Sequence, residues 1–453
     1  MAVPASAPPG YRLQGYSLSS QYRFCRHEQR QRVDNAHGGA PSESQCTWAT
    51  LMTHGMPRSP TITAIRGTMG LAKTEWMDAQ ERGWSAPDAY ICENCVDDPY
   101  LKFMIRDNAC SDTCDYCGRT DTNDIAAEAE VVVKAIYDTV HTYYCEPASG
   151  GVPYDEGFIV TPISIDAVLD DFGFDGHPDF VDAVIEAEVN GDYFVPAANG
   201  HWAGSHPHEV LSGAWKLFSH TVKHETRFHF ASTPREAASP NDIDIADVLP
   251  AIARHLRPFM RTLPAGTEVY RARIRHRGQT WQPTADQMGP PPKELTTAGR
   301  MNPAGIPYLY TSFDKATARR EIGVVARTSR TVFSARFTLT RPLTIIDLTT
   351  LPPMPSVFNL EQKEARETAL FIREFVETIS IPVTKDGREH IDYVPSQVVC
   401  EYLAQVFDAG KGAKLAGLIY PSAVEAGGKN LVVFPEDRYL STYHGVQFVQ
   451  AVR

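Results

Sequence analysis

The chain reads as an α+β protein: a C-terminal mixed-sheet domain, preceded by a mostly helical domain and a small cysteine module. Three observations predict this. Strand-like and helix-like runs alternate after Pro264. Apolar residues recur at helical spacing between residues 125 and 262. Two CxxC pairs, separated by 18 residues, precede both regions. A chain of 453 residues has room for two or three cores.

The bulk properties exclude several classes. Hydrophobic content of 43% and charge of 22% are those of a globular protein. No apolar run approaches the roughly 18 residues that cross a bilayer. The first ten residues, Met1 to Gly10, lack the basic and apolar regions of a signal peptide, so a cytoplasmic location is expected. A net charge of −12 argues against a protein that coats nucleic acid. Nine cysteines in such a chain read as metal ligands and buried thiols rather than disulfides.

Taken in order, residues 1–68 are rich in Pro, Ser, Gly and Gln without periodicity, and are expected to be a disordered extension. Arg32 and His37 there match an Arg-x4-His spacing used by some helical ribonucleases, a match that chance explains in so polar a segment. Residues 69–124 hold a helix-like run, Leu71 to Arg82, and then the cysteine module. Cys92, Cys95, Cys114 and Cys117 have the spacing of two knuckles that share one tetrahedral structural zinc. Four thiolates fill the sphere and leave no open catalytic position. The acids between them, Asp97, Asp98 and Asp107, disfavour contact with phosphate.

Residues 125–262 read as helical. Val131, Val132, Ala135, Ile136 and Val140 mark one face of a helix over Ala126–Tyr144. Shorter helices are expected over Ile163–Phe172, Phe180–Val189 and Pro207–Phe218. A strong one is expected over Ile243–Met260, capped by Asn241 or Asp242.

Residues 263–453 read as the catalytic-type domain. Strands are expected at Glu268–Ile274, Tyr308–Thr311, Thr331–Leu339, Leu343–Leu348, Ala416–Tyr420 and Asn430–Phe434. Helices are expected at Asp314–Ala326, Leu360–Glu377 and Gln397–Phe407. The Pro-rich stretch between Trp281 and Gly299 is either a lid or a surface insertion. Arg271, Arg273, Arg275 and Arg277 fall on one strand face; the row suits an anion pocket or a charged edge strand, with Arg271 the preferred ligand-binding member.

The stretch Gly299-Arg300-Met301-Asn302-Pro303-Ala304-Gly305, leading to Tyr310 and then Glu321, combines an anion-binding cation, an aromatic platform and a buried acid. Such groups hold a dinucleotide and break its glycosidic bond. Arg300 suits bidentate contact with pyrophosphate. Tyr310 suits stacking or a hydrogen bond, with Tyr308 as alternate on the same strand parity. Glu321 suits stabilisation of a ribosyl cation; the plain alternative is an exposed helix glutamate paired with a neighbouring arginine. Downstream, Tyr420-Pro421-Ser422 ends an apolar strand and Asn430 begins another after a glycine turn. Ser422 there suits a ribose hydroxyl or phosphate, or else satisfies its own turn.

These motifs resemble the RES family, over roughly residues 264 to 440. Val269-Tyr270-Arg271 resembles its opening strand. Gly299 to Gly305 resembles its Gly-Arg-Trp-Asn-x-x-Gly, with Met301 in place of the tryptophan. Leu309-Tyr310-Thr311-Ser312, Glu321, Tyr420-Pro421-Ser422 and Asn430 complete the likeness. The resemblance implies an ADP-ribosyltransferase-like fold with NAD as substrate. It implies catalytic roles for Glu321, Arg300, Tyr310 and Ser422, and NAD contacts from Arg271, Arg300, Tyr308, Tyr310, Ser422 and Asn430. The region upstream, with Gly83-Trp84, the CxxC pairs and Trp215 through Phe228, resembles the HEPN-like domain fused to some RES domains, as do Phe375 and Asp392 to Tyr402 within the catalytic half. The Arg-x4–6-His motif of HEPN ribonucleases is absent from residues 125–262.

The resemblance thus implies an NAD glycohydrolase or phosphorylase, acting as a toxin or anti-phage effector, with a protein ADP-ribosyltransferase as the alternative at the same site. The N-terminal half would then regulate it, bind a regulatory protein or self-associate. A zinc-dependent nucleic-acid-binding or RNA-processing protein is the rival class, which the acidic balance opposes.

Overall fold

The computed structural model describes residues 73–191, 193–198, 200–232, 242–323, 331–380, 389–436 and 443–452, all within the compact unit Gly67–Arg453. The expected extension, with Arg32 and His37, lies outside the described residues. No helix among the described residues is long and apolar enough to cross a membrane.

The N-terminal part builds one core. Strand β1 (Tyr90–Cys92) pairs antiparallel with β2 (Ala126–Glu128), closing the cysteine segment. Between them runs α1 (Pro99–Asp107), where Asp98 caps the free amides of Tyr100 and Leu101 and Pro99 occupies the first turn. Helix α2 (Ala129–Tyr143) buries Val132, Val133, Ile136, Tyr137 and Val140. Strand β3 (Tyr144–Cys145) meets β4 (Val195–Pro196). Helix α3 (Ile165–Phe172) stops at Gly173, whose φ of 65° supplies the left-handed cap. Helix α4 (Pro178–Glu186) adds Phe180 and Val184. These side chains pack with the cysteines and with Val357 and Phe358 from far along the chain.

The second part is an eight-stranded sheet. Its strands are β5 (Met260–Leu263), β6 (Glu268–Arg275), β7 (Leu309–Ser312), β8 (Thr331–Leu339), β9 (Leu343–Asp347), β10 (Gly417–Pro421), β11 (Lys429–Val433) and β12 (Val446–Val452). They lie in the order β12-β8-β6-β7-β11-β10-β9-β5. Only β9 and β10 run parallel; the other neighbours are antiparallel. Side chains alternate between the two faces: Leu418 and Tyr420 join one core, Ile419 the other.

Four helices cover the first face: α5 (Pro207–His224), α6 (Ile245–Leu256), α8 (Lys363–Ser380) and α9 (Val394–Gln405), while α7 (Lys315–Glu321) follows β7. Trp215 and Phe218 of α5, Ile252 and Leu256 of α6, and Phe371 and Phe375 of α8 form this core. The helical region 125–262 is therefore divided in packing. Its first helices share a core with the cysteines, and α5 and α6 are built onto the sheet. Buried and half-buried polar bonds reinforce that union. Glu367, 5% exposed, accepts from the His208 ring at 2.6 Å and from the His208 amide at 3.1 Å. Ser212 donates to Glu374 at 2.5 Å, and Lys223 reaches Asp392 at 3.2 Å.

Some expected elements differ. Asp244, rather than Asp242, caps α6 by accepting from the Ala246 amide; Asn241 lies outside the described residues. That helix stops at Leu256 because Pro258, which has no N–H, follows, and Met260 turns into β5. Strands β5 and β12, both unpredicted, are the two edges of the sheet, where one-sided pairing leaves a weak burial pattern. The Pro-rich stretch is anchored rather than free-standing: a helical turn at Ala285–Met288 buries Met288 fully in the second face's core.

The feature that creates a site is a split. Strand β6 pairs with β8 along its whole length, from Glu268 to Arg275, but meets β7 only at Tyr270 opposite Ser312. Beyond that point β6 and β7 diverge, and a cavity opens between them.

Candidate active site

The cavity measures about 240 Å³ and gathers residues from five elements: Arg271 on β6, Tyr310 and Ser312 on β7, Glu321 on α7, Tyr420 on β10 and Asn430 on β11. Helix α7 is short and fixed at its start, where Asp314 accepts from the Thr317 amide and hydroxyl. Its last residue is Glu321, which thereby stands on the cavity rim, exposed rather than buried as the sequence suggested.

A hydrogen-bonded chain orients this carboxylate. The Asn430 side-chain amide donates to Glu321 Oε1 at 2.6 Å, and Ser422 Oγ donates to the same oxygen at 2.7 Å. Ser312 Oγ in turn donates to Asn430 Oδ1 at 2.7 Å, fixing the flip of that amide. Ser422 also meets the turn expectation: its oxygen accepts from the amides of Val424 and Glu425 at 3.3 and 3.1 Å. Gly428 lets this turn lie against α7, since a Cβ there would come within 2.7 Å of Thr317 Oγ1.

Arg271 supplies the opposite charge. Its Nη1 is buried and has no hydrogen-bond partner among the described residues. Burial, then the neighbouring Arg273, lowers its pKa to about 10. The other row members are otherwise engaged. Arg273 donates to the Gln287 carbonyl and lies over the Trp281 ring; Arg275 donates to the Trp281 carbonyl at 3.2 Å and lies over Phe333. Arg277 falls beyond the strand. Arg271 alone of the row lines the cavity.

The Arg300 loop folds around Tyr310. The Tyr310 hydroxyl accepts from the Met301 amide at 3.0 Å and donates to Asn302 Oδ1 at 2.8 Å. The hydroxyl is thus committed to the loop, while the residue also lines the cavity. Asn302, 3% exposed, returns three bonds to the carbonyls of Thr297, Pro303 and Ile306. A Cβ on Gly299 would lie 2.5 Å from Asn302 Oδ1 and 2.9 Å from the Tyr310 hydroxyl, so only glycine fits there. Met301, in the tryptophan position of the resemblance, is fully buried and accepts a 3.3 Å contact from the Cys400 thiol.

Arg300 is not part of the cavity's immediate wall, but it acts on it through Tyr420. Burial pushes the Tyr420 hydroxyl's pKa up, the Glu321 charge adds to the push, and the Arg300 charge opposes it. Tyr420 therefore feels the charge of both the acid and the cation. Tyr308 is elsewhere: it is 3% exposed in the helix-covered core, its ring 5.2 Å from that of Phe434. Tyr310 packs against the same core, so the two share a face as the parity expects, but only Tyr310 lines the cavity. Sequence reasoning did not single out Ser312 or Tyr420 as site residues. The signal for Tyr420 was its place two residues before Ser422, and for Ser312 its place two residues after Tyr310; its bond to Asn430, 118 residues away, left no local trace.

A second polar centre lies in the N-terminal core. The thiols of Cys92, Cys95, Cys114 and Cys117 lie within 4.8 Å of one another, and Cys110 is not among them. Three sulfur pairs stand 3.5, 3.7 and 3.8 Å apart. A tetrahedral ion with metal–sulfur bonds of about 2.3 Å has edges of about 3.8 Å, so the set fits. Burial and the neighbouring thiols push Cys92 up to about 11, with the Asn94 amide opposing, and burial pushes Cys95 higher. For Cys114 burial also pushes up, but the amides of Cys117, Cys92 and Tyr116 outweigh it and bring it to about 7. Thiols held up in this way become thiolates together only with a cation bound among them.

An α+β sheet split around an acid, a cation and two aromatics, with a helical cysteine-bearing domain ahead of it, defines the class of protein. The comparisons with known families name it. Residues 268–447 match the RES domain and residues 107–236 match the HEPN/RES N-terminal domain 1. The C-terminal part of this chain is a RES domain, and a HEPN/RES N-terminal domain precedes it. Among solved structures, the crystal structure of the M. tuberculosis MbcT-MbcA toxin-antitoxin complex is similar at 19% identity, covering 44% of this chain and 90% of that chain, with a TM-score of 0.24. No curated protein matches the chain.

Proposed function

We propose that the RES domain of this chain binds NAD in the split between β6 and β7 and cleaves its nicotinamide–ribose bond. One observation carries the reading: a buried guanidinium nitrogen without a partner, on Arg271, shares a small cavity with the oriented carboxylate of Glu321. An orphaned cation is the natural seat of an anionic group such as a dinucleotide phosphate. The cavity's 240 Å³ is below the roughly 300–1,000 Å³ of whole-ligand pockets, which suits the nicotinamide-ribose end and its adjoining phosphate rather than the whole dinucleotide. In this reading Arg271 and Arg300 hold the phosphates, the Tyr310 ring packs on nicotinamide, and Glu321 faces the ribose. Nicotinamide leaves with the electron pair of the C–N bond. The ribosyl cation left behind is stabilised by Glu321 until water, phosphate or a protein nucleophile adds.

The four-cysteine cluster holds a structural zinc, which stiffens the N-terminal core and takes no part in the reaction. That half would regulate the enzyme, through a partner protein or a second copy of the chain. A toxin or defence effector is the biological role that fits an NAD-consuming activity.

The test is incubation of the full chain with NAD, with and without phosphate, followed by separation of nicotinamide, ADP-ribose, its phosphorylated form and modified protein. Nicotinamide release that disappears in Glu321→Ala is expected. Intact NAD under every condition refutes the reading. Modified protein as the main product assigns the transferase alternative.

A further inference from the structure

The Arg300 guanidinium makes no hydrogen bond or ion pair with any described residue, so its place depends on the backbone that carries it. That backbone is held from α9. The Gln397 side-chain amide donates to the Gly299 carbonyl at 2.7 Å, and Ser396 Oγ donates to the Arg300 carbonyl at 2.5 Å. One turn further on, the Cys400 thiol meets Met301. Three consecutive loop residues are thus gripped by side chains at i, i+1 and i+4, which share one face of a helix. Gln397 and Ser396 are 7% and 8% exposed. A buried amide or hydroxyl is placed at a cost unless it is bonded; here Gln397 bonds a loop carbonyl, and the Ser396 hydroxyl lies closer to the Arg300 carbonyl than to that of Tyr393 at the start of α9, 3.0 Å away. The same end of the element is also held by the N-terminal half: Asp392, just ahead of α9, takes Lys223 of α5.

We propose that Ser396 and Gln397 are positioning residues of the RES site: they set the Gly299–Met301 backbone, and through it the anion-binding position of Arg300. The part that concerns Arg300 and NAD rests on the function proposed above; the part that concerns the loop does not. The helix α9 is then the piece of structure shared by the loop and by α5 of the N-terminal half.

Two measurements on the full chain test this. The first is hydrogen–deuterium exchange of the peptide spanning residues 297–306, where the amides of Gly299, Met301 and Gly305 are bonded to Asn302, Tyr310 and Thr296. Gln397→Met and Ser396→Ala are each expected to speed that exchange about tenfold and leave the β10–β11 peptides unchanged, while Ser396→Thr, which keeps the donor, behaves as wild type. The second is NAD kinetics. Gln397→Met is expected to raise KM about tenfold with little change in kcat, as loss of uniform binding does. In an Arg300→Ala background it should cost nothing further, because its effect passes through Arg300. Unchanged loop exchange in both variants overturns the proposal, as does a loss that adds in full to that of Arg300→Ala. If Gln397→Met loosens the whole molecule, the Ser396→Ala and Ser396→Thr pair decides. Faster loop exchange in a protein that leaves NAD intact supports the positioning role and refutes the proposed function.

Discussion

Replacing Arg271 with Met should change stability and ligand binding in opposite directions. In the free protein the guanidinium is a liability: burial, above all, lowers its pKa from the usual arginine range to about 10. Each unit corresponds to about 1.4 kcal/mol, so the charged form carries a penalty of the order of 3 kcal/mol, or 1–3 kcal/mol after discounting for water reaching this part-exposed side chain. The sign is that of a cation with a depressed folded-state pKa. The penalty is present in full at neutral pH and is relieved only as pH rises through about 10. Met keeps the stem and removes the charge. Thermal unfolding of Arg271→Met without ligand should therefore occur a few degrees above wild type. With NAD at a hundred times its dissociation constant, wild type should gain about 2.7 kcal/mol and the variant almost nothing. Differential scanning fluorimetry with and without NAD reads both effects. A variant that melts lower than wild type, yet keeps its NAD shift, would show that Arg271 serves the fold and not the ligand.

Other expectations follow from the same coordinates. Asn430→Leu deletes a donor to Glu321 and strands the Ser312 hydroxyl, so it should cost about 1–3 kcal/mol and lower kcat more than it raises KM, as measured by denaturant titration and steady-state kinetics. Metal analysis should find one zinc per chain, and Cys114→Ser or a chelator should release it and lower Tm; a metal-free protein of unchanged stability would refute the zinc site. Burial lowers the pKa of His206, His255 and His444 below the usual value of 6.5. The unfolded chain then binds protons that the folded one resists, so Tm should fall as pH drops below about 6.5, and a Tm that rises between pH 7 and 5.5 would contradict that assignment.

The fold was legible wherever a segment's own pattern decides its state. Strand β8 lies at Thr331–Leu339 as its alternation predicts, and α2, α3 and α5 fall within a few residues of their expected starts. What was not legible depends on distant partners. Strands β5 and β12 owe their state to single neighbours, β9 and β8. The division of the helices between two cores depends on Phe358 joining the first and α8 the second. At the site, Arg271, Tyr310, Glu321 and Asn430 could be chosen from their local motifs, and the cavity gathers them. Ser312 and the α9 residues act only through contacts between segments about a hundred residues apart, which no local spacing encodes.

The plain alternative for Glu321 was a surface glutamate paired with a neighbouring arginine, and the geometry argues against it in a particular way. Two arginines directly precede it in α7. Arg320 is drawn to Glu425 at 2.5 Å, and Arg319 reaches Ser334 at 3.4 Å. Among the described residues Glu321 has no ion pair, and its partners are the neutral amide of Asn430 and hydroxyl of Ser422. Neutral donors aim a carboxylate without cancelling its charge, whereas a guanidinium would aim it and neutralise it together. Both donors take Oε1, which leaves Oε2 for whatever enters the cavity. An acid oriented by neutral donors, with one oxygen left unoccupied, suits a developing positive charge on a ribose. The nearby cations are engaged elsewhere or, like Arg271, stand on a different strand, where an anion can take them up without competing for the acid.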